Sequence, residues 1–126
     1  MAPPVRWLLV LCVVTLFLGL GRSAVTDSDE AFYAESARQM VESGDWLTPH
    51  YNAVVRFEKP VLMYWLIATA YAVGGVTEAA ARLPSALAGL ALVLLTFAVA
   101  SRWYDRPTGT LAGAIVATTF GCAVMA

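Results

Sequence analysis

Residues 29–59, DEAFYAESARQMVESGDWLTPHYNAVVRFEK, form the long polar segment of a chain that is otherwise mostly apolar. The segment opens with the carboxylate pair Asp29 and Glu30 and closes with Glu58 and Lys59, directly before an aromatic, apolar run. Most of the nine acidic residues of the chain lie within it. Because binding and catalysis draw on clustered ionisable groups, we expect the chemistry of this protein to reside in this segment.

The composition indicates a membrane protein. Hydrophobic residues make up 60% of the 126 residues and charged residues 13%, whereas about a quarter of the residues of soluble domains are charged. The formal net charge of -1 argues against nucleic acid as a partner, because phosphate binding needs clustered Lys and Arg. Cys12 and Cys122 have no metal or redox spacing, and His50 is the single histidine, so no metal site is expected.

The first apolar run, residues 7–21, predicts a transmembrane helix over 7–24, in which flanking residues help to cover the roughly 30 Å hydrocarbon core. A cleaved secretory signal peptide is the alternative, because the run is short and small residues follow it. Both interpretations place residues 25–82 on the non-cytoplasmic side of the membrane.

Two juxtamembrane helices are predicted within this extracytoplasmic loop. Over residues 29–43 apolar side chains recur at spacings of three and four, after a D-x-x-E capping pattern. Residues 60–73 are apolar and aromatic, but about 14 residues reach only about 21 Å, which is short of the hydrocarbon core. We prefer an interfacial helix to a second span here, because it leaves Arg102 and Arg106 on the cytoplasmic side.

The remaining sequence predicts further membrane helices. Residues 83–100 form a clear span with small residues for close helix packing, residues 101–109 a cytoplasmic loop, and residues 110–126 the start of another span. The chain stops inside that apolar run without polar anchors, so we expect it to be the N-terminal piece of a longer protein. The predicted class is an all-α membrane protein.

Asp29 and Glu30 have two possible roles. Carboxylates in a first helical turn commonly do no more than stabilise the exposed N–H groups and the helix dipole, by about 0.3 to 1 kcal/mol. A carboxylate held at the membrane surface beneath apolar groups can instead have its basicity raised by desolvation and act as a general base.

Arg56 and Lys59 lie three residues apart, immediately before the aromatic run, at the level where a lipid-phosphate headgroup would lie. A lysine near a membrane interface often only extends its charge to water. Two cations at this spacing can also neutralise a phosphate, and Glu58 between them can hold Lys59 in position.

Three ordered motifs carry a family resemblance: D-E-A-x-Y-A-x-x-A-R-x-M-x-x-S-G-D-W, F-E-K-P-x-L-x-Y-W-L and A-A-A-R-L-P-S-A-L-A-G. The sequence resembles the N-terminal part of the membrane glycosyltransferases that include the dolichyl-phosphate-mannose protein mannosyltransferases and the lipid A aminoarabinose transferases. This resemblance covers residues 7–126. It implies a GT-C type fold, in which membrane helices and juxtamembrane amphipathic helices carry an active site on the non-cytoplasmic face.

The resemblance also implies an inverting transfer of a sugar from a polyprenyl-phosphate donor to a hydroxyl of a lipid or protein acceptor, usually without a metal or other cofactor. Carried over by motif position, Asp29 is the catalytic carboxylate and Lys59 binds the donor phosphate. Arg56, Glu30 and Glu58 complete the expected substrate-binding set. Many relatives carry an aromatic residue at the position of Arg56, so its role is open. The piece alone is expected to be inactive.

Two other classes of protein remain as alternatives: a non-catalytic membrane scaffold or truncated paralogue, and a secreted interaction module. The predicted span at residues 83–100 argues against a secreted module. The gene downstream of codon 126 separates the first alternative from an enzyme, because an open frame with many more apolar segments favours an enzyme and a stop codon favours a remnant.

Overall fold

The computed structural model describes residues 3–18, 20, 21, 28–52, 54, 55 and 60–125. Its elements are α1 (Pro3–Cys12) with a π-helical continuation (Val13–Phe17), α2 (Ser28–Ser43), β1 (His50–Tyr51), β2 (Val54–Val55), α3 (Val61–Gly74), α4 (Glu78–Trp103) and α5 (Arg106–Met125). The predicted all-α class is confirmed. The chain divides into a polar unit, Leu20–Pro84, and an apolar unit, Met1–Gly19 with Ser85–Ala126.

Helix α2 forms where the periodicity predicts it, one residue earlier than expected. Ala37 and Met40 on its apolar stripe are buried, with 0% and 1% of their surface exposed. The helix ends at Ser43. The next residue, Gly44, has a φ of 74°, which glycine readily adopts, and its N–H donates to the carbonyl oxygen of Met40 at 3.0 Å. The local sequence therefore determines both the length of α2 and the face that it buries.

Helix α3 buries one face and exposes the other. Its buried residues recur at helical spacing and are Tyr64, Ile67, Ala68 and Tyr71. Large apolar side chains on its other faces, among them Leu62, Leu66 and Val73, are exposed. The predicted helix at 60–73 is confirmed to within one residue at each end. Its position in the membrane interface stays a prediction.

The polar unit is held together by apolar and aromatic contacts. Ala37 of α2 and Ile67, Ala68 and Tyr71 of α3 share one core with Ala80 and Ala81 of α4. A second cluster contains Phe32, Met40 and Tyr64, and the ring of Phe32 lies 4.9 Å from that of Tyr51. These contacts fix α2 against α3.

A short β-hairpin joins α2 to α3, and the sequence did not indicate it. His50 pairs with Val55 and Tyr51 with Val54 in antiparallel register, and Asn52 in the turn has a φ of 51°. A ladder of two residues per strand is too short to produce the alternation of apolar and polar residues by which strands are recognised.

Helix α4 begins five residues before the predicted start at residue 83. Thr77 precedes its first turn, and its Oγ1 accepts a hydrogen bond from the N–H of Ala80 at 3.1 Å. Pro84 lies inside the helix rather than at its start. Proline is most common in the first turn of a helix, where its missing N–H costs nothing. Here the helix is already capped at Thr77, and it continues past Pro84 although this residue removes one N–H donor.

The predicted loop at 101–109 is wrong in its extent. Helix α4 continues to Trp103 and α5 begins at Arg106, so only two residues separate them. The Oδ1 atom of Asp105 accepts the N–H of Thr108 at 2.8 Å, which caps α5, and hydrogen bonds from Thr108 lower the pKa of Asp105. The cytoplasmic location of this turn stays a prediction.

The apolar unit packs α1 and its π-helical continuation against α4 and α5. Its core residues are Leu8, Cys12, Leu16, Val93 and Ala117. Among the described residues, α4 alone has both the length and the hydropathy needed to cross a membrane. The N-terminal helix begins at Pro3 rather than at residue 7, and the end of the predicted span over 7–24 lies outside the described residues.

Candidate active site at the start of helix α2

The first turn of α2 carries both members of the carboxylate pair. Asp29 is exposed, whereas the side chain of Glu30 retains 30% of its accessible surface. Successive residues of an α-helix point about 100° apart, so the two carboxylates face different surroundings. The structure separates two groups that the sequence presents as a pair.

Glu30 pairs with Arg82, which lies 52 residues away in the sequence. The Nε atom of Arg82 donates to Oε1 of Glu30 at 2.5 Å, and Nη2 donates to Oε2 at 3.1 Å. A third donor, Nη1, binds the carbonyl oxygen of Leu20 at 2.9 Å. The guanidinium therefore joins the start of α2, the first turns of α4 and the segment at Leu20.

A second ionic network lies farther along α2. Arg38 donates to both carboxylate oxygens of Glu35, at 2.8 and 2.6 Å, and to Glu42 at 2.5 Å. The hydrogen bond from Arg38 lowers the pKa of Glu35 against the opposing effect of desolvation. Both acids lie one helical turn from Arg38, so this network stabilises α2 without joining it to another element.

The loop after α2 is ordered by Asp45 and held to α3 by Trp65. The Oδ1 atom of Asp45 accepts the N–H groups of Leu47 at 3.0 Å and Thr48 at 3.1 Å, and the bond from Leu47 is the main cause of its lowered pKa. The indole Nε1 of Trp65 donates to the carbonyl oxygen of Trp46 at 2.5 Å. This hydrogen bond ties the loop to α3.

An open depression of about 410 Å³ lies at the other end of α2. Gln39, Glu42, Ser43 and His50 line it. Ten residues of helix separate Asp29 from Gln39, which corresponds to about 15 Å along the axis. The depression is therefore a feature of the C-terminal end of α2 and not of the Asp29 site.

The other predicted site residues, Arg56, Glu58 and Lys59, lie outside the described residues, so the structure gives them no position. Within the described ranges, no three His, Cys, Asp or Glu side chains are grouped closely enough to hold a metal ion. Of the predicted set, the structure thus places Asp29 and Glu30.

Arg82 is the residue that sequence reasoning missed. It belongs to the A-A-A-R-L-P motif, next to alanines that are buried, and its own side chain is 14% exposed. An arginine is seldom buried without an acidic partner. The sequence signal for this residue was therefore a lone cation at the start of an apolar helix. Such a cation predicts a carboxylate partner, but the sequence does not show which acidic residue it is.

Comparison with known proteins places this chain in a family. The profile of the family described as dolichyl-phosphate-mannose-protein mannosyltransferase matches residues 5–126. An uncharacterized protein of Aquifex aeolicus is 41% identical over 99 residues, which cover 77% of this chain and 20% of that protein. An undecaprenyl phosphate-alpha-4-amino-4-deoxy-L-arabinose arabinosyl transferase of Pseudomonas fluorescens is 36% identical over 120 residues, or 92% of this chain and 21% of the transferase.

Two solved structures share the fold. The crystal structure of apo ArnT from Cupriavidus metallidurans superposes with a TM-score of 0.78 at 32% identity, over 90% of this chain and 23% of ArnT. The structure of the same protein bound to undecaprenyl phosphate gives a TM-score of 0.74 over 87% of this chain. The predicted GT-C type membrane fold is confirmed. The chain spans about a fifth of the length of the curated relatives that it matches.

Proposed function

Because the chain belongs to the dolichyl-phosphate-mannose-protein mannosyltransferase family, we propose that it is the N-terminal part of a polyprenyl-phosphate-dependent glycosyltransferase. The complete protein transfers a sugar from the lipid donor to a hydroxyl of a lipid or protein acceptor, with inversion at the anomeric carbon. Two of the similar proteins support this class of donor: one is an undecaprenyl phosphate-alpha-4-amino-4-deoxy-L-arabinose arabinosyl transferase, and the other, ArnT, is bound to undecaprenyl phosphate.

The observation that carries the proposal is that Asp29 is an exposed residue in the first turn of a helix that is fixed on its other side. Glu30 is engaged by Arg82, and α2 is packed on α3, so Asp29 lies on a defined surface of the polar unit. A general base needs this combination of an accessible carboxylate and a rigid support.

In the proposed reaction the acceptor oxygen attacks the anomeric carbon while Asp29 takes the hydroxyl proton. The bond between the anomeric carbon and the phosphate oxygen breaks, and its electron pair leaves with the polyprenyl phosphate. Lys59 balances the charge on this leaving group, with Arg56 beside it. Glu58 holds Lys59, and Glu30 supports Asp29 through its ion pair.

The test uses the complete protein, reconstituted in vesicles with an undecaprenyl-phosphate sugar that carries a label. We expect the label to pass to an acceptor while free undecaprenyl phosphate accumulates in equal amount. The corresponding nucleotide sugar serves as the control donor and should not react. Transfer from the nucleotide sugar, or no transfer from lipid-linked sugars under conditions in which the donor binds, would contradict the proposed function.

We also propose a topology for this site in the inner membrane, in which residues 25–82 face the non-cytoplasmic side and the turn at 104–105 faces the cytoplasm. Arg102 and Arg106 flank that turn, and cytoplasmic loops carry an excess of Lys and Arg. Cysteines at Ser43 and Tyr104, both exposed, serve as labelling sites in a cysteine-free background. An impermeant reagent should label the first in cells with a permeabilised outer membrane, and the second only after the inner membrane is opened.

A further inference from the structure

We propose that Arg82 is a positioning residue for Asp29: its ion pair with Glu30 sets the direction in which the first turn of α2 presents the Asp29 carboxylate. This inference rests on the proposed function, because it assigns Arg82 a part in the same reaction. It adds a residue from α4 to a site whose other predicted members lie between residues 29 and 59.

The geometry of the contact is specific. Among its contacts, Arg82 donates from Nε and Nη2 to the carboxylate of Glu30 and from Nη1 to the carbonyl oxygen of Leu20. The two bonds to Glu30 run in parallel from the planar guanidinium, which restricts the orientation of the carboxylate as well as its distance. The start of α2 is therefore fixed in rotation about its axis.

Burial makes this contact more effective than an ordinary surface ion pair. The side chain of Arg82 is 14% exposed, and its neighbours Ala80 and Ala81 lie in the apolar core. A partly buried cation loses charge compensation when a carboxylate partner is removed, so the pair resists separation. By contrast, Arg38 pairs with Glu35 and Glu42 while retaining 36% of its side-chain surface.

The consequence for Asp29 follows from helical geometry. With Glu30 turned toward Arg82, Asp29 must point about 100° away from it, and it is exposed there. If the Glu30 contact were lost, the first turn could rotate or fray, and the base would no longer meet the acceptor hydroxyl at hydrogen-bond distance. A displacement of about 1 Å at a reacting group can lower the rate about 100-fold.

The test compares Arg82→Lys, Glu30→Gln and the double variant in the complete, reconstituted enzyme. We expect each single variant to lower kcat by about 10- to 100-fold, while the dissociation constant of the lipid donor changes less than about 3-fold. The double variant should be no worse than either single variant, because both break the same contact. Arg38→Lys, which alters the more exposed pair farther along α2, is the matched control and should leave kcat unchanged.

Other results would overturn the inference. A rise in the donor dissociation constant for Arg82→Lys, with kcat at saturation unchanged, would mean that Arg82 binds the donor phosphate directly. Multiplicative losses in the double variant would mean that Arg82 and Glu30 act separately. Glu30→Gln alone tests the contact if Arg82→Lys fails to fold, and normal kcat in this variant would refute positioning. Failure of the wild-type enzyme to transfer sugar would instead refute the proposed function.

Discussion

The polar and apolar units of this protein achieve close packing by different means. In the apolar unit, glycines allow helices to approach closely: a Cβ atom on Gly109 would overlap the Oγ of Ser101 and lie 2.8 Å from the carbonyl oxygen of Phe97. In the polar unit, large aromatic rings and the Glu30–Arg82 ion pair hold the helices. Small residues determine how near two backbones lie, whereas a bidentate ion pair determines which way a side chain faces.

The difference suits the two parts to different tasks. A membrane helix gains stability from close contact along its length, because lipid is as apolar as the side chains themselves. A reaction site needs particular groups held in particular directions. We therefore expect substitutions at the candidate site of the polar unit to reduce activity without unfolding the protein, and substitutions at close contacts of the apolar unit to reduce stability.

The largest expected effect is that of Asp29→Asn in the complete protein. The amide keeps the shape of the side chain but cannot accept the proton of the acceptor, so kcat should fall by about 100-fold or more. Donor binding and the unfolding temperature should remain close to those of the wild type. Near-normal turnover would mean that Asp29 only stabilises the first turn of α2. The proposed catalytic role of the polar unit would then be refuted.

The next effect separates the two cations before α3. Lys59→Ala should raise the dissociation constant of a polyprenyl-phosphate analogue by roughly 10- to 150-fold, because a charge-assisted contact to phosphate contributes about 1.5 to 3 kcal/mol. Arg56→Ala should cost under about 1 kcal/mol, because we expect this cation to meet water at the rim of the site. Binding is measured for both purified variants at one salt concentration, and a larger effect of Arg56→Ala would transfer the phosphate site to the arginine.

In the apolar unit, Gly109→Ala should destabilise the protein by about 1 to 3 kcal/mol, because the added methyl group meets the backbone of α4. The control is Gly74→Ala in the polar unit, where a Cβ meets nothing within 4 Å and should be tolerated. Thermal unfolding in detergent compares the two variants. Equal stability would show that α4 and α5 separate without cost and would weaken the contrast between the units.

The smallest effect concerns Glu35 and is a dependence on pH. Because Arg38 lowers the pKa of Glu35 in the folded protein, the pair stabilises the fold above the unfolded pKa of about 4.3 and loses that contribution as the pH falls through the folded value. Glu35→Gln should therefore lower the unfolding temperature by a few degrees at pH 7, and this loss should shrink as the pH falls through the folded pKa. A loss that stays the same as the pH falls would indicate packing rather than charge.

Local sequence was sufficient for most of the helices but not for all of their ends. The spacing of apolar residues and the apolar run after residue 59 predicted α2 and α3 to within a residue or two. The predicted start of α4 at residue 83 came too late, because the cap at Thr77 is a single hydroxyl with a weak signal. The length of the predicted loop at 101–109 was overestimated, because most of its polar residues belong to the end of α4 and the start of α5.

For the candidate site, the sequence by itself determined Asp29 and Glu30 as the first turn of an amphipathic helix, through capping, periodicity and the family motifs. Tertiary structure alone decided that the two carboxylates differ: Glu30 faces Arg82, 52 residues away, and Asp29 remains exposed. The physical reason is that helical periodicity depends on neighbours within one turn. A contact between α2 and α4 depends instead on how α3 and its loops direct the chain, and those paths follow from the packing of the whole polar unit.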